Sequence, residues 1–132
     1  MDIKELKPTS IWHYFDAITG VPRPSKKEER IREFLLNFAK EQNLEVKVDK
    51  TENVVITKEA TPGCEGAPTV ILQAHMDMVC EKNGDVEHDF AKDPIVLEVE
   101  DDRVIAKNTT LGADDGIGVS FGLALLADDS IK

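Results

Sequence analysis

Apolar side chains recur at helical spacing near the start of the chain. The first such segment begins at Thr9 or Ser10 and ends at Gly20, a residue type that commonly terminates helices. Within it the apolar positions repeat every three or four residues: Ile11, Trp12, Tyr14, Phe15 and Ile18. This periodicity predicts a short amphipathic helix.

A second helical pattern begins at Ser25 and runs to about Gln42. Ser25 and Glu28 have the spacing of a capping box, in which each side chain accepts a hydrogen bond from the other residue's backbone N–H. The apolar stripe of this segment consists of Ile31, Phe34, Leu35 and Phe38. Charged residues occupy the opposite face, so the pattern predicts a longer amphipathic helix.

Alternating patterns predict two hairpins. Residues 45–49 alternate as a half-exposed strand, and residues 53–57 are expected to pair with them across a turn. Farther along, residues 96–99 and 103–106 predict a second hairpin, with Asp101 and Asp102 in its turn.

A β-branched run lies between the hairpins and predicts a buried strand. It comprises Thr69, Val70, Ile71 and Leu72. Alternate side chains of a strand point to the same face, so we expect His75 and Asp77 to share one face and Met76 to occupy the other.

The last apolar run, residues 116–127, is apolar nearly all round and predicts a buried helix. The loop before it, residues 111–116, carries Asp114 and Asp115. A carboxylate just ahead of a helix can bridge two cations with its two oxygens. Either acid could instead cap the helix by accepting a backbone N–H. Together the elements predict an α/β fold, a mixed sheet flanked by helices.

Composition is that of a soluble globular chain. With 132 residues and 41% hydrophobic content, the chain can build one core, whereas 32% charged residues and the lack of a long apolar run argue against membrane insertion. The first residues lack the apolar region of a signal peptide. A net charge of −10 disfavours nucleic acid and anionic membranes as partners. We expect a cytoplasmic protein.

The candidate chemistry centres on His75 and Asp77. A neutral imidazole binds a divalent metal through one ring nitrogen, while a carboxylate holds the other nitrogen or itself binds the metal. By itself this triplet is a weak motif. Cys64 and Cys80 are expected to be free bystanders, although a thiolate at Cys80 would bind zinc well.

Three segments indicate a more specific function than the His75 and Asp77 pair does alone. Residues 70–79, 88–95 and 109–118 resemble the aminoacyl-histidine dipeptidases, also called cytosol non-specific dipeptidases, within the di-zinc exopeptidases. The resemblance runs from about Ile11 through Lys132 and includes residues 20–25. The His75 and Asp77 pair occurs widely among these exopeptidases, whereas residues 88–90 and 109–114 indicate the dipeptidase branch.

The resemblance implies a function and a site. His75 matches the ligand to one metal, Asp77 matches the catalytic-site acid that orients this imidazole, and Asp114 matches the carboxylate that bridges both metals. It also implies a cis peptide bond between Asp114 and Asp115. The expected cofactor is a pair of zinc ions, with manganese or cobalt as substitutes. The expected substrates are dipeptides, Xaa-His among them, and the intact protein is expected to be a homodimer.

The resemblance further implies that residues 1–132 are the N-terminal part of the catalytic domain. The family's general base, its remaining ligands and an inserted domain used for closure and dimerisation are not found in this sequence, so we expect the chain alone to be inactive. Two alternatives remain open at this point: a hydrolase of N-acyl amino acids or tripeptides, and a non-catalytic module that keeps the fold. The resemblance suggests a structural or substrate-side role for His88, whereas His13 is expected to be a packed or surface histidine.

Overall fold

Helices at the start of the chain are followed by two hairpins and a last helix. The computed structural model describes residues 2–132. In chain order the elements are a 3₁₀ helix Ile3–Glu5, α1 Thr9–Thr19, α2 Glu29–Glu41, β1 Glu45–Val48, β2 Val54–Thr57, β3 Leu97–Glu100, β4 Arg103–Ala106 and α3 Ala113–Ala127. The predicted α/β fold is confirmed, and so are both predicted hairpins, but in place of one mixed sheet residues 2–132 contain two separate antiparallel sheets.

The core forms where the three helices meet. Its buried residues are Ile3, Phe15, Ile18, Ile31, Leu35, Phe38 and Leu123. Phe15 and Ile18 are each 1% exposed, and Ile31 is fully buried. Burying a side chain of this size contributes about 1.5–3 kcal/mol, so the apolar stripes read from the sequence supply most of the driving force for helix packing.

The first predicted helix is confirmed, including its end. α1 stops at Thr19, and the N–H of Gly20 bonds to the carbonyl of Asp16 at 3.2 Å. The second predicted helix is also present, but the capping box is wrong. α2 begins at Glu29 without a side-chain cap, and the Ser25 hydroxyl bonds to a carboxylate far along the chain. A charge-assisted hydrogen bond of this kind is stronger than a bond to a neutral amide N–H.

Both hairpins pair in antiparallel register. Glu45 lies opposite Thr57 in the first, and Leu97 lies opposite Ala106 in the second. Each forms its own two-stranded sheet. In the loop of the first hairpin, the Asp49 carboxylate accepts hydrogen bonds from the backbone and side chains of Thr51 and Asn53.

The predicted buried strand is wrong. Val70, Ile71 and Leu72 are 79%, 86% and 59% exposed, and no strand is assigned there. A buried strand needs hydrogen-bonded neighbours at its edges and cover on its faces. Within residues 2–132 the two hairpins pair only with themselves, so this apolar run has no ladder to join.

α3 is buried on one face only, so its predicted burial is incomplete within residues 2–132. Leu123 and Ala124 are buried on the side that packs against α1, whereas Phe121 and Leu125 are 48% and 38% exposed. The uniform apolar composition could not identify a face, because only the contact with α1 distinguishes the inner side. Within residues 2–132, none of the helices has the length and apolarity that crossing a bilayer requires.

Candidate metal centre

The imidazole of His75 lies between two carboxylates. Nδ1 is 3.0 Å from Oδ1 of Asp77, and Nε2 is 2.9 Å from Oδ1 of Asp114. Nδ1 is also 3.1 Å from the carbonyl oxygen of Asp77. The structure therefore brings together the three residues singled out from the sequence, and the expected approach of Asp114 to His75 is confirmed. The predicted strand geometry is not what brings them together.

The arrangement favours a charged imidazole. The pKa of His75 is raised, chiefly by the hydrogen bond with Asp114; burial opposes the rise, and the contacts with Asp77 add to it. The pKa of Asp77 is lowered, first by the hydrogen bond from Ser25 and also by His75. An ionised carboxylate only accepts hydrogen bonds, so Nδ1–H of His75 donates to Asp77.

Ser25 contributes to the site although the sequence analysis assigned it elsewhere. Its hydroxyl oxygen lies 2.5 Å from Oδ2 of Asp77 and 3.3 Å from the carbonyl oxygen of Met78. Asp77 thus uses one oxygen for His75 and the other for Ser25. The sole signal in the sequence was that Ser25 belongs to a segment resembling the dipeptidases.

Arg23 is a second residue that sequence reasoning missed. It is 2% exposed, and its guanidinium donates to the carbonyl of Gly112 at 2.7 Å. It also donates to the carbonyls of Met76 and Asp77, both at 3.4 Å. Burial lowers the pKa of Arg23, and the nearby Cys80 and Asp77 oppose that shift. A buried charge needs such acceptors to offset the cost of losing water.

Two glycines make room for this guanidinium. A Cβ atom at Gly112 would lie 2.6 Å from Nη2 of Arg23 and 2.7 Å from Sδ of Met78, and one at Gly116 would lie 2.7 Å from the same Nη2. Gly112 also has φ of 73°, a left-handed conformation that side chains with a Cβ rarely adopt. Packing against Arg23 therefore explains why glycines flank Asp114 and Asp115.

The neighbouring acids have different partners. Oδ1 of Asp115 accepts the N–H of Gly118 at 3.1 Å, the capping role expected for one of the pair. The side chain of Asp114 is 97% exposed and contacts His75. The peptide bond between the two is cis, as the resemblance implies.

Two of these side chains are of the types that bind metals. An imidazole nitrogen and a carboxylate are both ordinary zinc ligands, and here Nε2 of His75 and Asp114 converge at the surface. No group of three His, Cys, Asp or Glu side chains suited to one ion occurs within residues 2–132. Asp77 is directed at the opposite ring nitrogen, and burial raises the pKa of the Cys80 thiol, which keeps it protonated.

The remaining histidines lie elsewhere. His13 is exposed and its ring packs edge-on against Tyr14, with centroids 5.0 Å apart, in agreement with the sequence prediction. The ring of His88 packs against Phe90 at 4.5 Å, and its Nε2 is buried without a hydrogen-bond partner. Both roles that the resemblance suggests for His88 stay predictions.

Comparison with known proteins gives two relatives with substantial identity. No family model matches the chain. The cytosol non-specific dipeptidase of Escherichia coli (strain K12) is 44% identical over 130 residues, which are 98% of this chain and 27% of that protein. The crystal structure of aminoacylhistidine dipeptidase from Vibrio alginolyticus matches with a TM-score of 0.97 at 48% identity, covering 100% of this chain and 27% of the other.

A third match shows similarity of fold alone. A tripeptidase from Staphylococcus aureus matches with a TM-score of 0.70 at 24% identity, covering 89% of this chain and 31% of the other. The chain thus spans about a quarter of the length of the two dipeptidases it matches. Sequence identity and backbone geometry together confirm that this chain resembles one quarter of an aminoacyl-histidine dipeptidase.

Proposed function

We propose that the full-length protein is a metal-dependent dipeptidase of broad specificity, with Xaa-His dipeptides among its substrates. The observation that carries this proposal is the position of His75 between Asp77 and Asp114, with Nε2 facing the exposed carboxylate. The names of the two relatives with 44% and 48% identity support the substrate class. The tripeptidase is less similar in sequence and in fold, so tripeptide hydrolysis is not favoured.

Nε2 of His75 and the carboxylate of Asp114 would hold zinc, and Asp114 would be shared between two ions. Bound zinc polarises a carbonyl and lowers the pKa of its water toward about 7. Manganese or cobalt would serve as substitutes. Asp77 accepts Nδ1–H and so selects the tautomer whose Nε2 lone pair is free for a metal.

The His75 proton decides when this ligand is available. Nε2 of His75 lies 2.9 Å from Oδ1 of Asp114, and this hydrogen bond raises the pKa of His75. A metal ion must displace that proton, so binding releases a proton and strengthens as the pH rises. The exposure of His75 and Asp114, 52% and 97%, leaves Nε2 open to an incoming ion or substrate.

Further groups must come from the rest of the full-length protein. Catalytic zinc sites normally have three protein ligands, and His75 with Asp114 supplies two. We propose that the general base also lies outside residues 1–132 and that the chain alone is inactive. We also propose, from the family resemblance alone, that the full-length protein is a homodimer. The name of the relative from Escherichia coli supports a cytoplasmic location.

The full-length protein should be assayed against an Xaa-His dipeptide after chelation and after addition of zinc or manganese. Activity should disappear on chelation, return with metal, and be lost in His75→Ala and Asp114→Ala. His13→Ala is the matched control, because His13 is exposed on α1 and should leave the rate unchanged. Undiminished activity in Asp114→Ala would exclude the proposed metal centre, and a complete lack of activity and metal binding would favour the non-catalytic module.

A further inference from the structure

Residues 23–25 run alongside the segment that carries Asp77. The N–H of Met78 donates to the carbonyl of Arg23 at 2.9 Å, and the N–H of Ser25 donates to the carbonyl of Met78 at 3.2 Å. Pro24 and Met78 form an isolated parallel bridge. Because the side chain of Met78 is 3% exposed, this short pairing anchors the acidic segment to the protein interior.

The side chain of Arg23 joins this segment to the loop that carries Asp114. Its guanidinium reaches Gly112, 89 residues away in sequence, and the carbonyls of Met76 and Asp77. A planar guanidinium has five N–H donors that point in several fixed directions at once. A lysine ammonium is a single point of charge on a flexible stem, so it cannot replace all three contacts.

The guanidinium of Arg23 fits closely against the loop that carries Asp114. A Cβ atom at Gly112 would lie 2.6 Å from Nη2 of Arg23, and a Cβ atom at Gly116 would lie 2.7 Å from it. The loop therefore approaches Arg23 as closely as its backbone permits. Any larger residue at Gly116 would push the guanidinium and the Asp114 loop apart.

Ser25 acts on the same site from the other side. Its hydroxyl and Nδ1 of His75 hold different oxygens of Asp77, at 2.5 and 3.0 Å. The carboxylate is therefore fixed in rotation, which fixes the plane of the imidazole. Neither Arg23 nor Ser25 contacts Nε2 or Asp114, so neither is placed to bind a metal directly.

We propose that Arg23 and Ser25 are positioning residues of the metal centre: Arg23 sets the separation of His75 and Asp114, and Ser25 orients Asp77 and through it the imidazole. This rests on the proposed function. Residues that orient metal ligands through hydrogen bonds typically change metal affinity about 10 to 100-fold when altered.

The test uses the full-length protein, with zinc affinity, melting temperature and steady-state kinetics measured on each variant. Ser25→Ala should weaken zinc binding about 10 to 100-fold with little change in melting temperature, and Ser25→Thr, which keeps the hydroxyl, should restore most of the affinity. Arg23→Lys should weaken zinc binding and lower kcat more than it changes KM. Matched controls are Ser10→Ala and Arg30→Lys, since both residues are exposed on helices away from the site.

Gly116→Ala provides an independent arm. It should weaken zinc binding in the Arg23 protein and do so less in the Arg23→Lys protein, because a lysine leaves more room near position 116. Coupled residues show such non-additivity, whereas independent ones do not. The comparison also distinguishes two explanations of weaker zinc binding, displacement of the guanidinium and a general loss of stability.

The outcomes separate the two proposals. If the unaltered protein binds zinc, His75→Ala abolishes binding, and both Ser25→Ala and Arg23→Lys retain normal affinity, the positioning roles are wrong and the metal centre stands. Variants that melt earlier with unchanged zinc affinity would also overturn the positioning roles. If zinc binding is absent, or survives His75→Ala unchanged, both proposals fall.

Discussion

Nε2 of His75 lies 2.9 Å from Oδ1 of Asp114, although 39 residues separate them in the chain. This contact has a direct consequence for titration. We expect His75 to titrate above 6.5 in the metal-free 132-residue chain, because the hydrogen bond with Asp114 stabilises the imidazolium. Asp114→Asn should lower the pKa of His75, as followed by NMR of the ring protons.

The sign of the linked stability follows from the raised pKa. The contribution of this contact should be fully present below about 6.5, the unfolded value, and lost as the pH rises through the higher folded pKa. Asp115→Asn is the matched control, because Asp115 bonds to the N–H of Gly118. An unchanged His75 titration in Asp114→Asn would contradict the contact.

Asp77→Asn should weaken metal binding or activity of the full-length protein about 10 to 100-fold, the usual effect of altering a group that orients a ligand. An amide at this position can present its NH₂ group to Nδ1 and favour the wrong tautomer. The measurement is a zinc titration beside Asp85→Asn, a matched control because Asp85 is an exposed acid. Equal affinities for the two variants would count against the orienting role.

The isolated 132-residue chain should show no dipeptidase activity and should bind zinc weakly. His75 and Asp114 are fewer than the three protein ligands normal for catalytic zinc, and loss of general-base catalysis alone costs about 100 to 10,000-fold. The chain should be assayed against an Xaa-His dipeptide with zinc or manganese, beside the full-length protein. A rate approaching that of the full-length protein would show that the base lies within residues 1–132.

Ile71 and Ile31 should respond differently to truncation. Ile71→Ala should change the free energy of unfolding by less than about 0.5 kcal/mol, because Ile71 is 86% exposed in the chain. Ile31→Ala should cost about 2–5 kcal/mol, because Ile31 is fully buried. Urea unfolding of the 132-residue chain gives both values, and a large loss in Ile71→Ala would restore the buried strand that the structure contradicts.

The Asp49 carboxylate should titrate at about 2, chiefly because of its hydrogen bonds from Asn53 and Thr51. Asn53→Ala should raise this pKa toward the usual value near 3.9. Since the folded pKa is lowered, the stabilisation should be present above about 3.9 and lost as the pH falls toward 2. Carboxylate NMR titration measures the pKa of Asp49.

The helices and hairpins were predictable because their signals are local. The spacing of Phe15 and Ile18 places both on one face of α1 whatever surrounds it, and the alternation in β1 and β2 needs only a turn to pair them. The choice of His75, Asp77 and Asp114 likewise came from short motifs. Their family resemblance was confirmed over 98% of the chain.

What failed in the sequence analysis depended on distant partners. Residues 69–72 have the residue types of a buried strand, but a strand also needs neighbours, and periodicity carries no information about them. Ser25 has the spacing of a helix cap, yet its hydroxyl bonds to Asp77, 52 residues away. The spacing of Ser25 and Glu28 does not show that the Ser25 hydroxyl has a carboxylate partner available in place of a backbone N–H.

Arg23 is the clearest example of a residue whose contacts the sequence does not reveal. It lies in residues 20–25, which belong to the family resemblance, but nothing there indicates its contacts, because its acceptors lie 53 to 89 residues farther along the chain. Only the folded backbone brings Gly112 close enough for its missing Cβ to matter. The residue types needed for a metal site are thus evident in the linear chain, whereas their separation and orientation follow from buried contacts made after the chain has folded.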